Sequence, residues 1–273
     1  MGLDLKRMRS LQADIHIKAE EEMMNNISDN LINFVLDENI RDSFKNEKGR
    51  KITEQSKRVI GHWVKEGVIT GVQTNEGGWF YFDRTESIWI DIVAQLREFG
   101  LSLKKIKFIR ERLFNEEQEG FRLIDFALMY SILKSPYIMM VEKDGKINLT
   151  TSQLYSDIVK ENVLPPHIAF NFSHLLKEIF PNNKFDLSVT NLEEVSRLTN
   201  DELKILYYIR TGDYKEIRVK MKEGEVYLLE ADEEMPVNEK LIDIFRKSAY
   251  QDIVVKVVDN KMVHITRTER IKP

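Results

Sequence analysis

The chain has no cysteine at all. That excludes a disulfide framework, a thiolate metal site and a cysteine nucleophile. No apolar run approaches the ~20 residues that a membrane-crossing helix needs. The first residues, Met1-Gly-Leu-Asp-Leu-Lys-Arg-Met-Arg9, carry scattered charges and no apolar centre, which is not the pattern of a secretory signal. Also missing are a Gly-x-Ser-x-Gly elbow, a P-loop and a dinucleotide-binding glycine motif. The five histidines, His16, His62, His167, His174 and His264, form no pair at metal-ligand spacing. These absences leave a non-enzymatic protein with no catalytic residues, metal or cofactor as the expectation, and the cytoplasm as its default location.

What is present describes an ordinary globular chain. It has 273 residues, 42% of them hydrophobic and 32% charged, enough for two or three domains. The net charge of −4 is unevenly spread. From Lys48 to Arg112 there are thirteen Lys and Arg against eight Asp and Glu, so the rest of the chain is strongly acidic. A local basic surplus is the electrostatic footprint of a nucleic-acid binder, although a solvated helix face can carry one too.

The basic stretch is also the most patterned. Ile60, Trp63 and Val64 make a helical stripe. Thr53 is placed to cap that helix and Gly67 to close it, which predicts a helix over 53–66. Gln55, Ser56, Lys57 and Arg58 then occupy its first turns, where the helix dipole favours phosphate. Asn75-Glu-Gly-Gly78 is turn chemistry and Trp79-Phe-Tyr-Phe82 is strand-prone. Ile88, Ile92, Leu96 and Phe99 predict a further helix ended by Gly100; Ser102 caps another, with Leu103, Ile106, Ile109 and Leu113 facing inward. Upstream, Leu31, Phe34, Val35 and Ile40 suit a first helix over 31–44. Helix, helix, hairpin and two more helices make a winged helix-turn-helix.

The run Arg58-Val-Ile-Gly-His-Trp63, then Gly67-Val-Ile69, Gly78-Trp79, Tyr81 and Gly100-Leu-Ser-Leu-Lys-Lys-Ile106, resembles the MerR-type DNA-binding domain. That family carries Arg-Thr-Leu-Arg-Tyr-Tyr-Glu, Gly-Leu, a Gly-Tyr-Arg-x-Tyr wing and Gly-Phe-Ser-Leu-x-x-Ile in this order and at similar spacing. The resemblance implies a transcriptional regulator that reads a DNA major groove with residues 53–66 and a wing over 75–82. Gln55, Ser56, Lys57, Arg58, His62, Lys65, Trp79, Tyr81, Arg84, Lys104 and Lys105 are the implied DNA contacts. Gly61 and Phe80 stand where the family has arginines, which implies a weaker or differently directed grip. A protein-interaction adaptor that kept the fold without strong DNA binding is the alternative. Without cysteine, the family's thiolate metal sensing is excluded. Double-stranded DNA is the expected partner; a homodimer and a small-molecule effector remain open.

The family's long pairing helix does not follow. Asn115-Glu-Glu-Gln-Glu-Gly120 interrupts, and no heptad is sustained. Instead the spacing predicts a helix over 123–133, a hairpin turning at Asp144-Gly145 and a helix over 168–180. The last third holds a 36-residue repeat: Tyr214-Lys-Glu-Ile-Arg-Val-Lys220 matches Tyr250-Gln-Asp-Ile-Val-Val-Lys256, and Glu223-Gly224 matches Asp259-Asn260. Each copy reads helix, strand, turn, strand, with Leu203, Leu206 and Ile209 in one helix and Leu241, Ile244 and Phe245 in the other. The expected class is α+β. A polar arm over 1–28 precedes the winged helix over 29–114; a middle α+β domain over 115–198 and a tandem repeat domain over 199–273 follow it.

Overall fold

The computed structural model describes residues 28–45, 55–73, 78–116, 120–133, 136–161, 164–185, 197–235, 237, 244, 251–259 and 261–271. The expected arm, the Thr53 cap, most of the 75–78 turn, Leu241 and Phe245 lie outside them. Helix and antiparallel sheet are mixed among the described residues.

The first helical stretch is two helices rather than one: α1 (Asp29–Leu36) and α2 (Glu38–Lys45). The break is at Asp37, whose carboxylate accepts from the Asn39 and Ile40 amides at 3.0 and 3.3 Å and so starts a second helix. Next comes α3 (Lys57–Lys65). It begins later than the spacing predicts, because Ser56 is extended and its hydroxyl accepts from the Val59 amide, which makes Ser56 the cap. Gly67, left-handed at φ 70°, closes it. Ile60 and Trp63 face the core.

Two short antiparallel strands, β1 (Val72–Gln73) and β2 (Phe80–Tyr81), form the wing. They lead into α4 (Arg84–Glu98), capped by Asp83, and then α5 (Leu103–Phe114), capped by Ser102. Ile106, Ile109 and Leu113 are buried as the stripe requires, and so are Ile88, Ile92 and Leu96; Phe99, placed on that stripe by spacing, is exposed beyond the end of α4.

Every residue of α6 (Leu123–Leu133) is buried. It is the axis of a shared core, touching α1, α5 and the two later helices α8 and α9. The hairpin β3 (Tyr137–Glu142) and β4 (Ile147–Thr151) turns at Asp144-Gly145, where Gly145 has φ 95°. Between β4 and the third strand lies α7 (Ser152–Lys160). The helix expected over 168–180 is half strand: β5 (His167–Asn171) pairs with β3, and only α8 (Phe172–Ile179) is helical. Asn171 marks the change, its side chain accepting from the His174 amide at 3.2 Å.

The boundary expected at 199 cuts through this core. α9 (Asn200–Thr211), opened by a Thr199–Glu202 capping box, packs on α1 and α6. Lys204, 1% exposed, pairs with Asp37 at 2.8 Å. Tyr207 shares a hydrogen bond with Ser43 at 2.6 Å, and Arg210 donates to the Ile132 carbonyl at 2.9 Å. The buried face of α9 is therefore Leu203, Tyr207 and Tyr208, while Ile209 is exposed.

The tail then forms a sheet in the order β6-β7-β9-β8, with β6 (Glu216–Lys222), β7 (Glu225–Met235), β8 (Gln251–Val258) and β9 (Lys261–Ile271) all antiparallel to their neighbours. Glu223 and Gly224 have φ of 55° and 91°, and Asp259 has 49°, so both hairpins turn where the turn residues stand. Their registers coincide at a shift of 36: Ile217 faces Ala231 and Ile253 faces Arg267, with irregularities at Lys220/Met221 and Lys256/Val257. Between the hairpins, Asp232 faces Thr268, the position 36 residues on. Leu229 joins the main core; Ile265 packs with Met235 and Ile244 in a second, smaller one.

Candidate nucleic-acid interface

The N-terminal turn of α3 is open to solvent. Ser56, Lys57 and Arg58 are exposed there, and Gln55 precedes them half-buried. The amides of a first helical turn lack partners within the helix, and with the dipole they make an anion-binding end. Ser56 accepts from Val59 and keeps its hydroxyl proton as a donor. Lys57 reaches across to the wing, its ammonium 5.3 Å from the centre of the Trp79 ring. Trp79 is 46% exposed, so the helix start and the wing present one continuous polar and aromatic edge.

The wing is seated by apolar contact. A Cβ on Gly61 would lie 3.8 Å from the Phe80 ring, an ordinary contact distance. Phe80 stacks on Phe82 with centroids 6.3 Å apart and planes 28° apart. Phe82 is buried and lies over Gly71, where a Cβ would come within 2.5 Å of its ring. Gln73 donates to the Gly78 carbonyl at 3.1 Å and ties the two strands below Trp79.

The other expected contacts divide. Lys65 is exposed near the end of α3, and His62 stands 3.9 Å from Glu66 on the same helix. Tyr81 is half-buried in β2, and Lys104 is exposed on α5. Two of them meet partners within the chain. Arg84 turns inward to Asp213 at 2.8 Å and lies 4.5 Å from the centre of the Phe180 ring, leaving its side chain 11% exposed. Lys105 donates to the Lys143 carbonyl at 2.9 Å, which draws it onto the β3–β4 turn.

Arg110, on the basic run of α5, is also internal. It forks onto both oxygens of Glu86, donates to the Thr70 hydroxyl at 3.0 Å and covers the Phe114 ring at 4.1 Å. Glu86 in turn accepts from the Thr70 amide at 3.2 Å. Burial holds the Glu86 carboxyl above its ordinary range, and the bonds from Arg110 and Thr70 only partly offset this. Sequence reasoning missed Glu86 and Asp213. Glu86 had a local signal, three residues after the Asp83 cap; Asp213 had none. Among the described residues no group of three or more His, Cys, Asp or Glu could hold a metal ion, and no helix is long and apolar enough to cross a membrane.

The class this arrangement defines is a winged helix with a basic helix start beside an aromatic wing. Residues 50–113 match the family model described as MerR HTH family regulatory protein, so the N-terminal part of the chain carries a MerR-type helix-turn-helix. The matched span ends within α5, and α6 onward lies outside it. Searches of curated proteins and of solved structures gave no match.

Proposed function

We propose that the protein is a DNA-binding transcriptional regulator of MerR-like type. The observation that carries this reading is the apposition of Lys57, at the start of α3, and Trp79, on the wing, across one exposed edge. In this reading α3 enters the major groove by its N-terminal half. Arg58 takes a guanine edge or a phosphate bidentately, and Lys57, Ser56 and Gln55 fix the backbone beside it. His62, Lys65 and Tyr81 flank the groove, Trp79 packs on the sugar-phosphate chain, and Lys104 adds an outlying charge. Arg84 is left out because its covered side chain pairs with Asp213, and Lys105 because it bonds the Lys143 carbonyl on the β3–β4 turn. The parts after α5 are accessory segments for assembly or for sensing an effector.

The adaptor reading draws on Gly61 and Phe80, which face each other where the resemblance implies two arginines. A salt series on duplexes selected from a random pool separates the two. A regulator that neutralises several phosphates loses affinity linearly in log salt, with a slope of about −0.9 for each contact. Failure to enrich any duplex, with the chain folded, would remove the DNA reading and leave the adaptor.

A further inference from the structure

A two-stranded wing is marginal by itself, so its position must come from what it is attached to. Downstream it is attached to α4, and α4 is tied to the C-terminal third of the chain. Arg84 is the first residue of α4 and stands three positions after Tyr81. Its Nη1 donates to Asp213 Oδ2 at 2.8 Å, with the two side chains 11% and 21% exposed. Phe180 backs the guanidinium.

Asp213 is held on both sides. Before it, Gly212 is left-handed at φ 68°, and a Cβ there would fall 2.2 Å from the Asn182 carbonyl oxygen. The Lys184 amide donates to the Arg210 carbonyl at 2.8 Å in the same place. After it, the Lys215 amide donates to the Asp232 carbonyl at 2.7 Å, fastening the chain to β7. At the other end of the ion pair, Asp83 accepts from the Glu86 amide at 2.7 Å, and Phe82 is buried against Gly71 and Phe80. A continuous set of fixed groups thus runs from the β6–β7 sheet to the wing.

We propose that Asp213 is a positioning residue for the wing: by holding Arg84 it fixes the Phe82–Asp83 corner, and so where Trp79 stands relative to Lys57. The proposal rests on the reading of α3 and the wing as the DNA contact, but its first test needs no DNA. In the full chain, hydrogen exchange of the amides in 71–83 is followed for wild type, Asp213→Ala, Asp213→Asn and Asp213→Glu. The two variants that lose the charge should exchange faster there, on the order of tenfold, while α1, α6 and β7 keep their protection. Asp213→Glu, which keeps the carboxylate, should stay close to wild type. On a duplex selected by wild type, Asp213→Asn should bind more weakly with the same salt slope, because no phosphate contact is lost.

Wild-type exchange in the wing of a folded Asp213→Asn chain would overturn the proposal. So would faster exchange spread evenly over α6 and α9, which would mark general destabilisation. Should Asp213→Ala not fold, the isosteric Asn variant still decides. Tighter DNA binding by Asp213→Asn would also overturn it, by showing that freed Arg84 takes a phosphate itself. Should wild type select no duplex, the DNA reading fails while the exchange result still stands or falls alone.

Discussion

Phe80 on the wing faces Gly61 on α3, near enough that a Cβ there would lie 3.8 Å from its ring, so the two positions where the resemblance implies arginines are neighbours in this protein. With only hydrogen at residue 61, no α3 side chain stands between them at this position, and Phe80 packs on Phe82 and the core, so the wing docks by apolar packing. Polar contact with a ligand then falls to the neighbours Lys57, Arg58 and Trp79, which remain on the open edge.

Gly61→Ala and Gly71→Ala should therefore move stability in opposite directions. At Gly61 the added methyl meets Phe80 at contact distance inside a helix, which should stabilise by about 0.5–1 kcal/mol. At Gly71 it would press into the buried Phe82 ring and should cost about 1–3 kcal/mol. Urea melts of the two variants check both signs.

Arg58→Ala should lose about 1–3 kcal/mol of specific DNA binding and relax preference at one base position, the range for a bidentate base contact. Lys57→Ala should weaken binding to all duplexes alike and lower the salt slope by about 1. Both residues are exposed, so melting temperatures should not move. A gel-shift series at several salt concentrations measures this, and unchanged affinity would remove either residue from the interface.

Glu86 should give the pH profile of stability an unusual slope. Burial raises its folded-state pKa above the ordinary glutamate value of 4.5, so the folded chain holds this proton more tightly than the unfolded one. As pH climbs from about 4.5 through the raised value, the site's contribution to stability falls, the reverse of a carboxylate whose pKa is depressed. Glu86→Gln should remove that slope. Arg110→Ala, which leaves a buried carboxylate without its main partner, should cost about 3–5 kcal/mol at neutral pH. Thermal melts between pH 4 and 8 test both expectations.

A chain ending at 198 should not fold, and residues 199–273 alone should aggregate. α9 brings Leu203, Lys204, Tyr207 and Tyr208 into the core built by α1 and α6, and removing it exposes Phe34 and Phe44. Lys204→Ala should cost about 3–5 kcal/mol by leaving Asp37 unpaired in a largely covered site. Circular dichroism and sedimentation of the two fragments are the check. A monomeric, cooperatively melting 199–273 fragment would show that α9 does not depend on this interface.

The readings that sequence alone decided are those whose causes lie within a few residues. The Ile60 and Trp63 stripe follows from helical spacing, as do Ile106, Ile109 and Leu113. The turns at Asp144-Gly145 and Glu223-Gly224 follow from which residues tolerate positive φ, and the shared registers of the tail hairpins follow from matching strand patterns. The start of α3 falls later than the spacing predicts, because Ser56 is extended and its hydroxyl accepts from the Val59 amide, while Thr53 lies outside the described residues. Tertiary structure decided whatever depends on a distant partner. Residues 167–171 became a strand because β3 was there to pair with them. Arg84, an implied DNA contact, and Arg110 on α5 turn inward to Asp213 and Glu86, which lie 129 and 24 residues away in the chain. The burial of α9 was equally invisible, because an apolar stripe says that a face must be covered and not by which helix. Asp37, one carboxylate between two short helices, covers Lys204 only once the chain has come back across 167 residues.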